Sequence, residues 1–285
     1  MKYKIFVLII ILVLIGGGIF LIQKEKVSKT EISIEKELKV KKEKVLKEEE
    51  KEKSEVSLIS VYDNYQVNPE LKTAWGFGLV IETSNEKILF DTGGNSGILL
   101  FNMKKLGVDP ESIDKVVISH IHGDHIGGLE GFLKENPKVK VFIPASFPDS
   151  VREMIKSYGA NFINVSRSQK ISDFIFSTGE LYGPPDEQSL VILSKKGLII
   201  ITGCAHPGIV NIVKKAKEMF PQKEVYLVLG GFHHPPKKVV SELKKLKVKK
   251  VAPSHCSGDE IRELFKKEYQ NDFIENGVGK IINIE

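Results

Sequence analysis

All seven histidines of this 285-residue chain lie beyond residue 119, and each follows an apolar run. KVVIS precedes His120, His122 and His125; GLIIITGCA precedes His206; VYLVLGGF precedes His233 and His234; KKVAPS precedes His255. The runs have the length and β-branched content of buried strands, and between them lie segments with helical apolar spacing. Strands alternating with helices, together with hairpins, predict an α/β or α+β layered domain in which helices cover sheets. Strand ends on one edge of such a sheet converge in space, which is where ligands and catalytic groups collect. Histidines scattered through a core or over a surface would not show this placement.

The predicted elements begin near residue 56. VSLISVYD, GFGLVIET and KILFDTGG read as strands, the last two joined by a turn at SNEK. SGILLFNMKKLG, GGLEGFLKE, GIVNIVKKAKEMF and KKVVSELKKL read as helices. KVVIS, KVKVFIP and VYLVLGG are further strands, and LVILS with GLIIITG forms a hairpin around SKKG. Two similar half-sheets fit this order.

The chain ahead of residue 56 is of another kind. Ile5 to Ile22 is uninterruptedly apolar behind two lysines. Eighteen helical residues at about 1.5 Å each reach roughly 27 Å, enough for a bilayer core. A cleaved signal peptide with Gly16 to Gly18 as its small-residue site is the alternative, but the apolar run continues beyond those glycines. Residues 1–23 are therefore expected to be a single-pass transmembrane anchor. Residues 24–55 form a Lys/Glu-rich stalk or spacer, and residues 56–285 the catalytic domain. Flanking lysines barely favour one orientation; the short basic N-terminus sets the expectation of an extracytoplasmic domain. Residues 1–56 hold 13 Lys and 10 Glu of a chain whose net charge is +5, so the remainder carries only +2. That is no footprint for nucleic acid, and neither a basic channel nor an RNA-gripping insertion supports a nuclease. A small-molecule substrate and the membrane are the expected partners.

SHIHGDHIGG (Ser119 to Gly128) carries the chemistry. On an extended chain His120 and His122 leave the same face and can grip one cation. Gly123 permits a sharp turn, after which Asp124 and His125 project from a helix start toward a neighbouring position. Gly127 and Gly128 let that helix pack close to the sheet. Imidazole and carboxylate together suit zinc first, with iron, manganese or nickel as alternatives, as one or two divalent ions.

H-x-H-x-D-H followed by Gly-Gly, with FDTGG (Phe90 to Gly94), TGCAHPG (Thr202 to Gly208), LGGFHH (Leu229 to His234) and PSHCSG (Pro253 to Gly258), resembles the metallo-β-lactamase superfamily. The resemblance implies an αββα sandwich with its metal site at one edge between two sheets. Carried over by motif, His120, His122 and His206 would form one site, and Asp124, His125 and His255 the other. Asp91 would orient the ligands. Many dinuclear members bridge both metals with an aspartate after a glycine in the fourth motif, where this chain has Gly231. His233 is then a candidate ligand or substrate contact, with His234 a weaker one. Cys204 and Cys256 each lie within two residues of a proposed ligand. They read as small buried packing residues, with a ligand role or a disulfide between them as alternatives.

TGCAHPGIVN, LGGFHH and the final SHCSG further resemble the 7,8-dihydropterin-6-yl-methyl-4-(β-D-ribofuranosyl)aminobenzene 5'-phosphate synthase branch. Members of that branch often carry Glu-His-Gly where this chain has AWGFGLVIE (Ala74 to Glu82), and the expected anchor is a second mismatch. A cation with an open position lowers the pKa of bound water to about 7 and so supplies hydroxide. The expected function is metal-dependent hydrolysis of an ester-type bond, phosphoester ahead of amide, with Asp124 orienting the nucleophile or shuttling its proton. The synthase variant would instead use an amine against a pyrophosphate leaving group. The rivals are an iron-dependent oxidoreductase resembling the persulfide dioxygenases and a tethered binding protein with a degenerate metal site. Loops from Tyr65 to Trp75 and from Ser177 to Glu187 are the expected pocket walls.

Overall fold

The computed structural model describes residues 55–285. The expected membrane anchor (1–23) and nearly all of the charged stalk lie outside the described residues. Among the described residues, no helix is long and apolar enough to cross a membrane.

Thirteen strands form two sheets among the described residues. The first contains β1 (Val56–Tyr62), β2 (Gly78–Glu82), β3 (Lys87–Phe90), β4 (Lys115–Val117), β5 (Lys140–Pro144), β6 (Asn161–Val165) and β13 (Ile281–Ile284), in the order β13-β1-β2-β3-β4-β5-β6. The second contains β7 (Gln169–Lys170), β8 (Ile175–Ser177), β9 (Leu190–Ser194), β10 (Gly197–Thr202), β11 (Val225–Gly231) and β12 (Lys250–Ser254), in the order β12-β11-β10-β9-β8-β7. The half-sheet expectation holds in this form: each sheet has an antiparallel half and a parallel half. β13 to β3 pair antiparallel and β3 to β6 parallel. β7 to β10 pair antiparallel and β10 to β12 parallel.

Alternation along the strands divides the apolar side chains among layers. Leu79 and Ile81 of β2 join Ile199, Ile201, Leu227 and Leu229 of the second sheet in the central core. Val80, from the opposite face of the same strand, packs with Leu99, Met103, Leu129 and Phe132. Those residues belong to α1 (Ser96–Lys105) and α3 (Leu129–Glu135). On the far side Ile200 and Val228 pack against Ile212, Val213, Leu243 and Phe265. These come from α5 (Ile209–Met219), α6 (Lys238–Lys245) and α7 (Asp259–Tyr269). The result is helix, sheet, sheet, helix. Strands covered on both faces explain why GLIIIT and VYLVL are continuous apolar runs rather than alternating ones.

The turn at SNEK closes through Thr83 N–H donating to the Glu86 carbonyl at 3.0 Å. The histidine segment differs in detail from the sequence expectation. Asp124 and His125 occupy a single helical turn, α2 (Gly123–Ile126), separate from α3. The two glycines between them are needed for contact: a Cβ on Gly128 would lie 2.1 Å from the Thr92 carbonyl oxygen, and one on Gly127 2.7 Å from that of Gly94. The remaining helix, α4 (Asp149–Ser157), leads into β6.

Candidate metal centre

The parallel halves deliver the histidines. His120 and His122 follow β4, His206 follows β10, His233 and His234 follow β11, and His255 follows β12. The expected first trio meets: His120 Nε2 is 3.1 Å from His122 Nδ1. The rings of His206 and His120 lie 4.7 Å apart between centroids, and those of His206 and His122 4.8 Å. The expected second trio also meets. Asp124 Oδ2 is 3.2 Å from His255 Nε2 and 3.7 Å from His125 Nε2. His120 and His125, 4.1 Å apart between ring centroids, join the two groups.

The far side of each buried ring is tied to protein. His125 Nδ1 is 2.7 Å from Asp91 Oδ2, and His255 Nδ1 is 2.9 Å from Asn64 Oδ1. Both partners accept, so both Nδ1 atoms carry a proton and both Nε2 atoms are left to bind a cation, which would displace any proton that His125, raised by Asp91, carries there. His120 Nδ1 lies 2.8 Å from Ser119 Oγ, which in turn is 2.7 Å from Asp91 Oδ2. With Ser119 donating to the carboxylate, His120 is held in the same tautomer. Asp91 also accepts the Ser119 N–H at 2.7 Å and is fully buried. One carboxylate thus reaches two histidines, His125 directly and His120 through Ser119. Metal-ligating histidines have this arrangement, with the ring nitrogen away from the ion hydrogen-bonded to a carboxylate or carbonyl.

Electrostatics match the geometry. Burial and then the neighbouring imidazoles of His125, His206 and His122 hold His120 far below the ordinary histidine range, so it is neutral. Burial, then His233 and His122, lowers His206 to about 4. Burial alone would raise Asp124, but the contact with His255 and the charge of His125 outweigh it and keep the carboxyl below its usual range. Burial opposes charging of His125, yet Asp91 beside it raises that group overall. Two ring nitrogens, His206 Nε2 and His255 Nε2, are buried without a hydrogen-bond partner. Unsatisfied buried acceptors are costly in a native structure, and a cation would satisfy both. The donor set therefore fits a divalent metal.

His233 lies beside the cluster, its ring 4.3 Å from that of His206. His234 is exposed and takes part through its backbone, donating to the Cys256 carbonyl at 2.8 Å. Cys204 and Cys256 are both buried and both free, so no disulfide joins them. Among the described residues, three groups have all their donor atoms within 4.8 Å of one another: Asp124, His125, Cys204 and His255; His120, Cys204 and His206; and Cys204, His233 and Cys256.

Three supporting residues carried no sequence signal as supports. Asn64 fixes His255. Asp63 accepts the backbone N–H groups of Tyr65 and His255 at 2.9 and 3.3 Å. Glu187, at the end of an expected pocket wall, is instead wholly buried. It accepts the N–H groups of Gly203, Cys204 and Ala205 at 3.0 Å each and of His206 at 2.8 Å. Burial pushes it up to about 7 against those donors. The loop carrying Cys204 and His206 is thereby clamped from below. The expected walls do contribute exposed aromatics: Trp75 sits 4.8 Å from the His255 ring, and Tyr182 neighbours Gly183, which packs on the His206 backbone.

Known proteins resemble this chain in sequence and in fold. Residues 77–255 match the metallo-β-lactamase superfamily. A 7,8-dihydropterin-6-methyl-4-(β-D-ribofuranosyl)-aminobenzene-5'-phosphate synthase of Methanocaldococcus jannaschii is 33% identical over 261 residues, covering 73% of this chain and 89% of the relative. Among solved structures, a metal-dependent hydrolase of the β-lactamase superfamily is 26% identical, with a TM-score of 0.67 over 80% of this chain and 98% of that one. The short form of human tRNase Z, 16% identical with a TM-score of 0.58 over 80% of this chain and 98% of that one, shares the fold. The chain belongs to the metallo-β-lactamase superfamily.

Proposed function

We propose that the protein is a metal-dependent hydrolase acting on a phosphoester of a small molecule. His120, His122 and His206 would hold one divalent ion, and Asp124, His125 and His255 a second. The observation that supports this best is the convergence of the histidines with their Nδ1 protons tied to protein, which leaves the Nε2 lone pairs of His120, His125 and His255 available. When bound, such ions supply Lewis acidity toward a phosphoryl oxygen and an activated water.

The chain's own residues supply the rest. Asp124, ionised at neutral pH and partly exposed, orients an incoming water by accepting its proton in a hydrogen bond. Contact with the Cys256 sulfur, itself held below the ordinary thiol range by Cys204 and His233, raises His233 despite partial burial, which suits it to donate to a leaving-group oxygen. Trp75 and Tyr182, 55% and 85% exposed, offer faces for a flat aryl group beside His255 and His206. The similarity to the methanogen synthase supports a second reading, in which an amine replaces water against a pyrophosphate leaving group.

Metal stripping followed by addition of zinc, manganese, iron or nickel, with bis-p-nitrophenyl phosphate as substrate, tests the first reading. Turnover should vanish on chelation and return with metal. Activity indifferent to chelation, or none with any of the four ions, would refute it. Iron as the resident metal with oxygen consumption would favour the oxidoreductase instead. Residues 1–23 would tether the domain to a membrane. Release of the full chain by high salt alone would contradict that.

A further inference from the structure

Position 231 ends β11 where a bridging acid is expected, and the structure has no room for one. A Cβ on Gly231 would lie 2.4 Å from the Gly203 carbonyl oxygen, 2.7 Å from Cys256 Sγ and 3.2 Å from Cys204 Cα. The space is taken by the loop after β10 and by sulfur.

Cys204 Sγ is the donor atom common to all three groups, among them the two that contain the proposed ligands of each ion. It lies 3.2 Å from His125 Nε2. It falls within 4.8 Å of the donor atoms of Asp124 and His255 on one side and of His120 and His206 on the other. Bonds of about 2.0 to 2.1 Å to nitrogen and about 2.3 Å to sulfur put tetrahedral ligands on one ion roughly 3.5 Å apart, so the more distant donors of either set must close by about 1 Å. Cys204 is 4% exposed, and its backbone is held by Glu187, with the next residue, Ala205, at φ +62°. Such a constraint on a non-glycine residue persists only where surrounding structure enforces it. The buried, unpartnered Nε2 of His255 belongs to one of the two groups that Sγ completes.

We propose that Cys204 is a bridging metal ligand, its thiolate sulfur standing between the two ions in place of the acid missing at position 231. This rests on the metal-site reading above. On binding, the thiol loses its proton to solvent and donates sulfur lone pairs to both ions; no oxidant or reductant is involved. Cys256, behind it, holds position through backbone contacts with His233 and Cys204.

The test replaces bound metal with Co(II) in the intact protein and in the Cys204→Ser, Cys204→Ala and Cys256→Ala variants. Near-ultraviolet absorption and metal-to-protein ratio are read after dialysis, with circular dichroism as the folding control. A thiolate-to-cobalt charge-transfer band is expected in the wild type and in Cys256→Ala. It should be lost in both Cys204 variants, with affinity for the second ion falling at least tenfold. Two bound cobalt ions without the band, or loss of the band in Cys256→Ala, would overturn the bridging role while leaving the metal site standing. Failure of the wild type to bind cobalt would instead sink the metal-site reading itself. Because Cys256→Ala leaves Cys204 intact, the assignment stays falsifiable even if the Cys204 variants do not fold.

Discussion

Asp91→Asn isolates the proton bookkeeping on which the metal centre depends. Asp91 is fully buried at φ +60°, a conformation in which asparagine is nearly as acceptable as aspartate. Its Oδ1 accepts the Ser119 N–H, and its Oδ2 faces Ser119 Oγ and His125 Nδ1, all at 2.7 Å. An amide keeps the first contact through its oxygen and places an NH2 at the other two. His125 Nδ1 must then accept, which moves its proton to Nε2 and removes the lone pair. Ser119 must turn its proton toward His120 Nδ1, with the same consequence there. Restoring either lone pair costs a hydrogen bond of charged type, about 1.5 to 3 kcal/mol. Every 1.4 kcal/mol is tenfold, so metal affinity should fall roughly 10- to 100-fold, the usual effect of removing such a partner. Competition against a chromophoric chelator measures it, with circular dichroism showing that the fold persists. Affinity within twofold of wild type in a folded variant would refute the tautomer argument.

Three further substitutions probe the supports. Glu187→Ala orphans four backbone N–H groups under the loop carrying Cys204 and His206, and should destabilise the protein by on the order of 4 kcal/mol in urea melts; a loss below about 1 kcal/mol would mean that water replaces the carboxylate. In the metal-free protein, burial pushes Asp63 up to about 6, above the value near 4 of an unfolded aspartate. Its contribution to stability is thus full below pH 4 and lost as pH rises through 6, on the order of 3 kcal/mol in all. Asp63→Asn should flatten that part of the pH profile in thermal melts, and an unchanged slope would show the carboxyl to be silent. Trp75→Ala should raise KM for an aryl phosphoester roughly three- to tenfold with little change in kcat, and equal loss in kcat would place the ring in the chemistry instead.

The layered fold was legible because its strands are short and apolar on both faces. KILF, KVV, GLIIIT, VYLVLGG and KVAPS each become strands, and the histidines sit just past four of the strand ends. Gln169–Lys170 carries no pattern a reader could use: two polar residues pair only because Ser177 and Phe176 stand opposite. The metal-facing groups were legible for a related reason. His120, His122, Asp124 and His125 are close in sequence, and local geometry already limits where they point. Asn64 meets His255 across 191 positions, a pairing no local pattern encodes. Glu187 reads in the sequence only as the end of a pocket-wall loop, because the donors it answers lie beyond a whole hairpin.

That division explains how so many polar groups stand at one edge of a hydrophobic sandwich. Asp91, Ala205, His233 and His255 are non-glycine residues at positive φ, and all four lie just past strand ends. Such conformations cost of order 1 kcal/mol or more each and need a frame that over-determines them. The frame here is the β-core beneath, which fixes the strand ends, together with buried acids that hold the turns between. Asp91 ties β3 to β4 and α2, Glu187 ties the approach to β9 to the exit of β10, and Asp63 ties the exit of β1 to that of β12. Each acid secures a different histidine-bearing loop to a different part of the sandwich. Loosening one of them should therefore weaken ligand geometry before it unfolds the domain, so metal affinity is the more sensitive measure of damage at this edge than melting temperature.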